Sequence, residues 1–217
     1  MAHPAKVSVL KLDTGFPRVP GDVAAPETWV APPEIITIPR ATVAAVVHDA
    51  SPPLAAFLKA AKRVAGQVAT TSCGFLAPYG AALAQAAAVP FVGSALDALP
   101  RLEARFGPGQ VLVMTYDATA CRALGVSAPV LGLPPGSHLR EVIAQDRPAL
   151  DGRRAGQEVS ALLATRVAVS RPAALLLECT NLPPYKAALR EVFDGPIFDI
   201  LTEVERTVPG TVRPRWR

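Results

Sequence analysis

Two cysteines stand in matching surroundings in the two halves of this 217-residue chain. Cys73 begins the run CGFLAPYGAAL and Cys179 begins the run CTNLPPYKAAL, and a proline follows each cysteine after 17 residues. Over 18 ungapped positions the two runs share eight identities, where ordinary composition gives about one or two. A thiol can remove or deliver a proton, so a matched pair predicts acid–base chemistry on opposite faces of one carbon.

The duplication extends to the apolar run that comes before each cysteine. The run KVSVLKLD, which ends at Asp13, aligns with QVLVMTYD, which ends at Asp117, at an offset of 104 residues against 106 for the cysteine runs. A period of about 105 residues indicates a duplicated domain rather than a short repeat. We therefore expect two similar halves.

Apolar runs alternate with longer helical patterns along the chain. This predicts an α/β fold of two similar three-layer α/β/α domains with parallel sheets, related by a pseudo-two-fold axis, with the active site between them. We expect a first domain over 1–95 and a second over 96–196, and the segment from about 197 to 217 can return to the first. Strands are expected at 6–12, 67–72, 91–93, 110–115, 130–133, 174–177 and 197–198, and helices at about 53–65, 78–88, 95–106, 137–146, 153–168, 184–193 and 199–206.

Each cysteine follows an apolar strand and precedes a helix that is expected to begin near a proline, Pro78 or Pro184. Ligands of such folds bind beyond the carboxyl ends of the strands. The free N–H groups and the dipole of a following helix lower the pKa of a thiol and also bind a carboxylate. We therefore expect both thiols to ionise readily beside a substrate carboxylate.

The segment from Asp13 to Arg40 interrupts the alternation. It contains six prolines and is longer than an ordinary connection. Because it begins where the first strand ends, we expect a lid over the site, with a proline-stiffened surface excursion as the alternative. Arg18 and Arg40 could each clamp a second carboxylate bidentately, although we favour a solvated surface arginine for both.

Several of these residues resemble a known group, the aspartate/glutamate racemase superfamily, which includes glutamate, aspartate and hydantoin racemases. The block from Leu177 to Pro183, LECTNLP, is similar to that superfamily's second-cysteine block, a strand ending in Gly-Cys-Thr-His-Tyr-Pro. TSCGF, from Thr71 to Phe75, stands where glutamate racemases have Cys-Asn-Thr, and Asp13-Thr14 corresponds to the superfamily's Asp-Ser. The stretch 16–22 resembles a long loop of an uncharacterised branch.

The resemblance implies two similar α/β domains that each supply one catalytic cysteine, Cys73 and Cys179, without pyridoxal phosphate or a metal. It also implies that Asp13 assists the first cysteine and that the Thr14 hydroxyl helps to hold the substrate carboxylate. Gly74 and Phe75 replace Asn-Thr, and Asn181 replaces the usual His. These departures change the groups that would hold the polar ends of an α-amino acid.

The remaining candidate residues also have possible structural roles. Asp13 and Asp117 each end a strand, where an aspartate either acts on a thiol or caps the next helix; we favour catalysis for Asp13 and capping for Asp117. Glu178 is expected to point to the opposite face from Cys179 and to be structural. The candidates to bind substrate are Thr14, Arg18, Gly74, Phe75, Asp117, Thr180 and Asn181.

Composition excludes several classes of protein. The net charge of +4 and pI of about 9.2 are a weak basic excess without a clustered stripe, which predicts no nucleic-acid partner. No apolar run approaches the length of a membrane span, and no signal-peptide pattern begins the chain. We expect a cytoplasmic protein that binds a small carboxylate, with a homodimer as a possible assembly.

The preferred hypothesis is a cofactor-independent racemase or epimerase, an amino-acid racemase-like isomerase that needs no pyridoxal phosphate. It would transfer a proton between the faces of the carbon next to a carboxylate or carbonyl. Two alternatives stay open. One is an isomerase or decarboxylase of the same superfamily, resembling maleate isomerases or arylmalonate decarboxylases. The other is a carboxylate-binding protein without turnover.

Overall fold

The computed structural model describes residues 6–217, which form two parallel four-stranded sheets covered by helices. The first sheet has the strand order β2-β1-β3-β4, and the second has the order β6-β5-β7-β8. The strands are β1 (Val7–Leu12), β2 (Glu34–Ile38), β3 (Val68–Thr71), β4 (Phe91–Val92), β5 (Val111–Thr115), β6 (Val130–Gly132), β7 (Ala174–Leu177) and β8 (Ile197–Asp199).

The two sheets have equivalent register as well as equivalent order. Val7 of β1 pairs with Val68 of β3, and Val111 of β5 pairs with Ala174 of β7, which reproduces the offsets of 104 and 106 residues between the sequence repeats. The predicted α/β duplication is therefore confirmed. The central strands of both sheets are almost completely buried, and β5 and β7 are also almost continuously apolar, as expected for parallel sheets with helices on both faces.

The predicted helices are present, several of them shorter than the sequence pattern suggests, and α4 is an additional one. They are α1 (Leu54–Ala61), α2 (Gly80–Ala86), α3 (Leu99–Phe106), α4 (Ala118–Ala123), α5 (His138–Ala144), α6 (Gly152–Ser170), α7 (Lys186–Arg190) and α8 (Ile200–Thr207). Helix α8 follows β8 of the second sheet but contacts β3 and β4 of the first, so the chain crosses back between the sheets near its end. Among the residues that the structure describes, no helix is long and apolar enough to cross a membrane.

The proline-rich segment contains a strand that the sequence analysis missed. Residues Glu34–Ile38 form β2, the edge strand of the first sheet, which pairs in parallel with β1. Prolines on either side of this run hid it, although an edge strand tolerates flanking prolines because one side of its backbone needs no partner. The expectation of a continuous loop over 13–40 was therefore wrong.

The earlier part of that segment is packed into the protein. Trp29 and Val23 are fully buried, and Trp29 forms a backbone bridge with Val212 near the end of the chain. Gly21 has a φ of +102°, and a Cβ there would lie 2.7 Å from the Cα of Pro184 in the second domain. This part of the segment is thus packed between the domains and the C-terminal residues and is not a surface excursion.

A buried ion pair links the second sheet to the helix that follows the second cysteine. The Lys186 ammonium lies 2.7 Å from Asp199 Oδ2, and it donates a hydrogen bond of 2.6 Å to the carbonyl oxygen of Trp216. Both charged side chains are almost completely buried. Removing one partner of such a pair leaves the other charge buried without compensation.

We expect Lys186→Met to lower the free energy of unfolding by about 3–5 kcal/mol, because Asp199 then keeps its charge in the core. The matched control is Arg206→Gln, which breaks the pair between Glu203 and a side chain that is 61% exposed and is expected to cost less than about 1 kcal/mol. Urea denaturation of both variants measures the difference. Equal costs would contradict the role given to the buried pair.

Candidate active site

A small cavity of about 30 Å³ lies between the two domains, where four central strands end. Leu12 closes β1, Cys73 follows β3, Tyr116 follows β5, and Cys179 follows β7. Both predicted thiols therefore line the same space. The full set of lining residues is Leu12, Phe16, Arg18, Val43, Val47, Ser72, Cys73, Gly74, Phe75, Tyr116, Ile143, Glu178, Cys179, Thr180 and Asn181.

The two cysteines occupy equivalent positions in this cavity. Their residues are 8% and 7% exposed, and the backbone N–H groups of Phe75 and Asn181, two residues further on, stabilise the respective thiolates. The segments that follow are short. Cys73 leads into a 3-10 turn over Gly74–Tyr79 rather than directly into α2. The helix dipole that the sequence predicted at each thiol is therefore weak.

Burial and a neighbouring carboxyl group overturn the expected fall in thiol pKa. Burial, followed by the charge of Glu178, raises the pKa of Cys73 to about 12, although the Phe75 N–H and the Arg18 charge act in the opposite direction. Burial followed by Glu178 also raises the pKa of Cys179 well above its usual value. Each thiol is consequently a weak acid, and its thiolate is a stronger base than an exposed cysteine would be.

Glu178, which the sequence analysis treated as structural, lines the cavity. Its Oε2 accepts a hydrogen bond of 2.5 Å from the Thr115 hydroxyl, while its buried Oε1 has no hydrogen-bond partner within residues 6–217. Burial raises the pKa of this carboxyl to about 7. The alternation rule failed here because Glu178 lies beyond the last residue of β7.

Gly74 makes room for that carboxyl group. A Cβ at position 74 would lie 2.1 Å from Glu178 Oε1 and 2.7 Å from the Glu178 carbonyl oxygen. The glycine beside the first cysteine therefore accompanies the glutamate that precedes the second. The sequence repeat already shows this asymmetry, because the residue before the first cysteine is the small Ser72 and the aligned residue before the second is Glu178.

Arg18 brings a positive charge to the cavity. Its guanidinium lies 4.1 Å from the ring centre of Phe16, and its Nη1 and Nη2 contact Asp22 at 3.1 Å and Thr14 at 2.7 Å. The side chain is 10% exposed, and its Nε has no partner among the described residues. Arg18 is therefore not a solvated surface arginine; Arg40, in contrast, lies outside the cavity.

Polar contacts from the two residues after Cys179 connect the domains. The Thr180 hydroxyl donates a hydrogen bond of 2.7 Å to the carbonyl oxygen of Ser72, beside the first cysteine. Asn181 Oδ1 lies 3.7 Å from the Cys179 sulfur, and its Nδ2 donates to Asp22 at 2.5 Å. Both residues line the cavity, but the proton of the Thr180 hydroxyl is already donated to the Ser72 carbonyl oxygen.

Three predicted residues lie outside the cavity. Asp13 is exposed and accepts a hydrogen bond of 2.9 Å from the backbone N–H of Arg40, so the structure does not bring it to Cys73. The Thr14 hydroxyl does not line the cavity, but it accepts a hydrogen bond from Arg18 Nη2, and Arg18 does line it. Asp117 caps α4 by accepting from the N–H of Ala120 at 2.9 Å, which is the capping role that the sequence favoured.

Tyr116, Asp22 and Phe16 were not among the predicted site residues. Tyr116 lines the cavity at the position that the self-alignment equates with Leu12, so inspection of aligned strand ends could have found it. Burial raises the pKa of the Tyr116 phenol, which stays protonated near neutral pH. Across residues 6–217, no three His, Cys, Asp or Glu side chains converge to hold a metal ion.

Two curated relatives align with nearly the whole chain, whereas no protein-family model matches it. A dimethylsulfoniopropionate lyase from Durusdinium sp. clade D is 25% identical over 235 residues, which cover 98% of this chain and 77% of the relative. Dimethylsulfoniopropionate lyase 5 from Emiliania huxleyi (strain CCMP1516) is 30% identical over 234 residues, or 94% of this chain. The chain spans 45% of that second relative's length.

Solved structures share the fold at low sequence identity. Allantoin racemase from Klebsiella pneumoniae superposes with a TM-score of 0.60 at 15% identity, covering 96% of this chain and 90% of that one. Unliganded arylmalonate decarboxylase gives 0.56 at 15% identity, covering 97% and 96%. Glutamate racemase from Thermus thermophilus, in complex with beta-chloro-D-alanine, gives 0.54 at 20% identity, covering 97% and 84%. The fold expected from the cysteine blocks is therefore confirmed.

The raised pKa of Glu178 predicts a pH-dependent stability. The folded state holds this proton up to about pH 7, whereas the unfolded carboxyl releases it near 4.5. Between these values the native state binds more protons, so the free energy of unfolding falls as pH rises, by about 3 kcal/mol in total. Glu178→Gln is expected to remove this fall.

Urea denaturation at about pH 5 and about pH 8 measures the effect, because most of the titration window lies between these two values. The matched control is Glu191→Gln, at an exposed position just after α7, which should retain the pH dependence of the unsubstituted protein. If Glu178→Gln and the unsubstituted protein lose the same stability between the two pH values, the carboxyl is ionised in the folded state already at pH 5.

Proposed function

We propose that this chain, which has the fold of the aspartate/glutamate racemase superfamily, is a cofactor-independent enzyme that moves a proton at the carbon next to a carboxylate. The preferred reaction is racemisation or epimerisation by Cys73 and Cys179. One observation carries the proposal. Both thiols, placed by duplicated halves of the chain, line the same cavity at the ends of β3 and β7.

The proton transfers balance within the thiol pair. One thiolate takes the proton from the substrate carbon and becomes a thiol, while the other thiol gives its proton to the opposite face and becomes a thiolate. The substrate inverts, and the pair exchanges roles for the reverse reaction. The raised thiol pKa values favour this chemistry, because a carbon acid requires a strong base and burial supplies one.

The cavity offers a group of each sign to a substrate. The unpartnered Nε of Arg18 can donate to a carboxylate, which also stabilises the charge that develops when the neighbouring carbon loses its proton. The unpartnered Oε1 of Glu178 can accept from an ammonium group or attract another cation. The walls between them include Val43, Val47 and Phe75 and are apolar, which excludes water from the reacting atoms.

A second candidate follows from the two curated relatives, whose names are dimethylsulfoniopropionate lyases. Elimination from such a substrate begins with the same step, in which a thiolate takes the proton next to the carboxylate. The electron pair then forms a double bond to the next carbon, whose bond to sulfur breaks, and the sulfonium leaves as dimethyl sulfide. The aromatic face of Phe75 and the negative charge of the Glu178 carboxylate can each attract a dimethylsulfonium cation.

Hydrogen exchange in heavy water tests the shared first step. With amino-acid, hydantoin or sulfoniopropionate substrates, deuterium is expected at the carbon next to the carboxylate or carbonyl, measured by NMR. Cys73→Ser and Cys179→Ser should each reduce the rate of the full reaction by at least about a hundredfold, since a positioned acid or base contributes that much. Cys121→Ala, in α4 and outside the cavity, is the matched control and should retain activity.

The products separate the candidate reactions. Inversion of the substrate supports racemisation, dimethyl sulfide release supports elimination, and carbon dioxide release supports a decarboxylase. A ligand that binds tightly without any exchange would indicate a carboxylate-binding protein. Unchanged turnover in both cysteine variants would refute the thiol mechanism for all of these reactions.

A further inference from the structure

Cys73 and Cys179 face different polar groups although the fold gives them equivalent positions. Asn181 Oδ1 lies 3.7 Å from the Cys179 sulfur. The residue aligned with Asn181 in the first half is Phe75, whose ring carries no comparable acceptor. The surroundings of the two thiols therefore differ in one hydrogen-bond acceptor that acts on Cys179 alone.

The orientation of the Asn181 amide is fixed from its other end. Asn181 Nδ2 donates to Asp22 Oδ2 at 2.5 Å, and Asp22 is 1% exposed. The same Oδ2 accepts from Arg18 Nη1 at 3.1 Å, while Oδ1 accepts from the backbone N–H of Ala24 at 2.7 Å. A carboxylate beside a guanidinium can only accept hydrogen bonds. The amide must therefore turn its N–H groups to Asp22 and its carbonyl oxygen to Cys179.

A carbonyl oxygen at this place stabilises one protonation state of Cys179. It accepts a hydrogen bond from the S–H group, but it turns its lone pairs toward a thiolate, and a hydrogen bond to the neutral form disfavours the charged one. We propose that Asp22 and Asn181 make Cys179 the weaker acid of the pair, so that Cys73 is the first to lose its proton and acts as the base, while Cys179 keeps its proton and acts as the donor. Asp22 is a positioning residue, since it reaches the thiol through Asn181.

Other charges near Cys179 act on it through space. The titratable and charged groups that face it are Glu178, Cys73, Asp22, Arg18, Tyr116 and Tyr185. Glu178 disfavours both thiolates and so does not by itself decide which one forms first. The names donor and base rest on the function proposed above, whereas the protonation order is a property of the protein without substrate.

Alkylation of the native protein measures that order. Iodoacetamide reacts with thiolates, and peptide mass mapping over about pH 6 to 9 gives a rate for each cysteine. The pH at which each rate rises reports the ionisation of that thiol, because access of the reagent to a sulfur does not depend on its protonation. Cys73 is expected to react before Cys179 in the unsubstituted protein. Faster reaction of Cys179 there would overturn the proposal without any variant.

Asp22→Asn is expected to reverse the amide. The Ala24 N–H fixes the carbonyl oxygen of the new side chain, and Arg18 Nη1 gives up its contact there while Nη2 keeps Thr14. The new NH₂ group then meets Asn181, which turns its own carbonyl oxygen to position 22 and its N–H groups to Cys179. Alkylation of Cys179 near pH 7 should accelerate by about tenfold or more, because an N–H donor stabilises the thiolate. The rate at Cys73 should change by less than about twofold.

Loss of the Asp22 charge also favours the thiolate, so a second pair of proteins separates the two effects. In an Asn181→Leu background, Asp22→Asn should accelerate Cys179 by no more than about twofold, because no amide remains to turn. Equal acceleration with and without Asn181 would overturn the proposal. Thr14→Val is the control that removes the other partner of Arg18 and should keep the order of the two cysteines. Failure of the proposed function would instead appear as no deuterium exchange in the unsubstituted protein.

Discussion

Three acidic groups, namely Glu178 and the two thiols, share one buried cavity between the domains, and the cost of ionising more than one of them governs the site. The charge of Glu178 raises the pKa of both Cys73 and Cys179, and burial raises the pKa of all three groups. Low effective dielectric strengthens each of these repulsions. A site of this kind keeps protons on its groups until a substrate brings its own charges, so proton transfer is coupled to binding.

The duplicated scaffold places this pair, and the departures from duplication differentiate its members. Equivalent strand order and register bring both cysteines to the ends of equivalent strands. The residues around them then diverge: in the aligned repeat, Ser72 corresponds to Glu178, Gly74 to Thr180, and Phe75 to Asn181. Gly74 leaves the space that Glu178 fills, and Asn181 gives Cys179 an acceptor. A symmetric fold thereby holds two chemically distinct thiols.

The cysteines, the duplication and both sheets could be predicted from the sequence, because strand periodicity and aligned repeats are local signals. The strand β2 could not, since its flanking prolines are typical of loops. Glu178 was misplaced because face alternation does not extend past the end of β7. No sequence signal pointed to the contact that Asp22 makes: its partner Asn181 is 159 residues away, and only packing between the domains brings them together. The thiol pKa values were predicted with the wrong sign because burial outweighs the N–H groups of short turns.

The central claim is that both thiols serve one carbon of one substrate. The most direct measurement is the distance from each cysteine sulfur to the substrate's reacting carbon in a crystal structure with a bound, slowly reacting carboxylate. The account predicts both sulfurs at roughly 3–4 Å from that carbon, on opposite faces, with the carboxylate near Arg18. A carboxylate bound elsewhere, or with a single sulfur near the carbon and the other turned away, would contradict it.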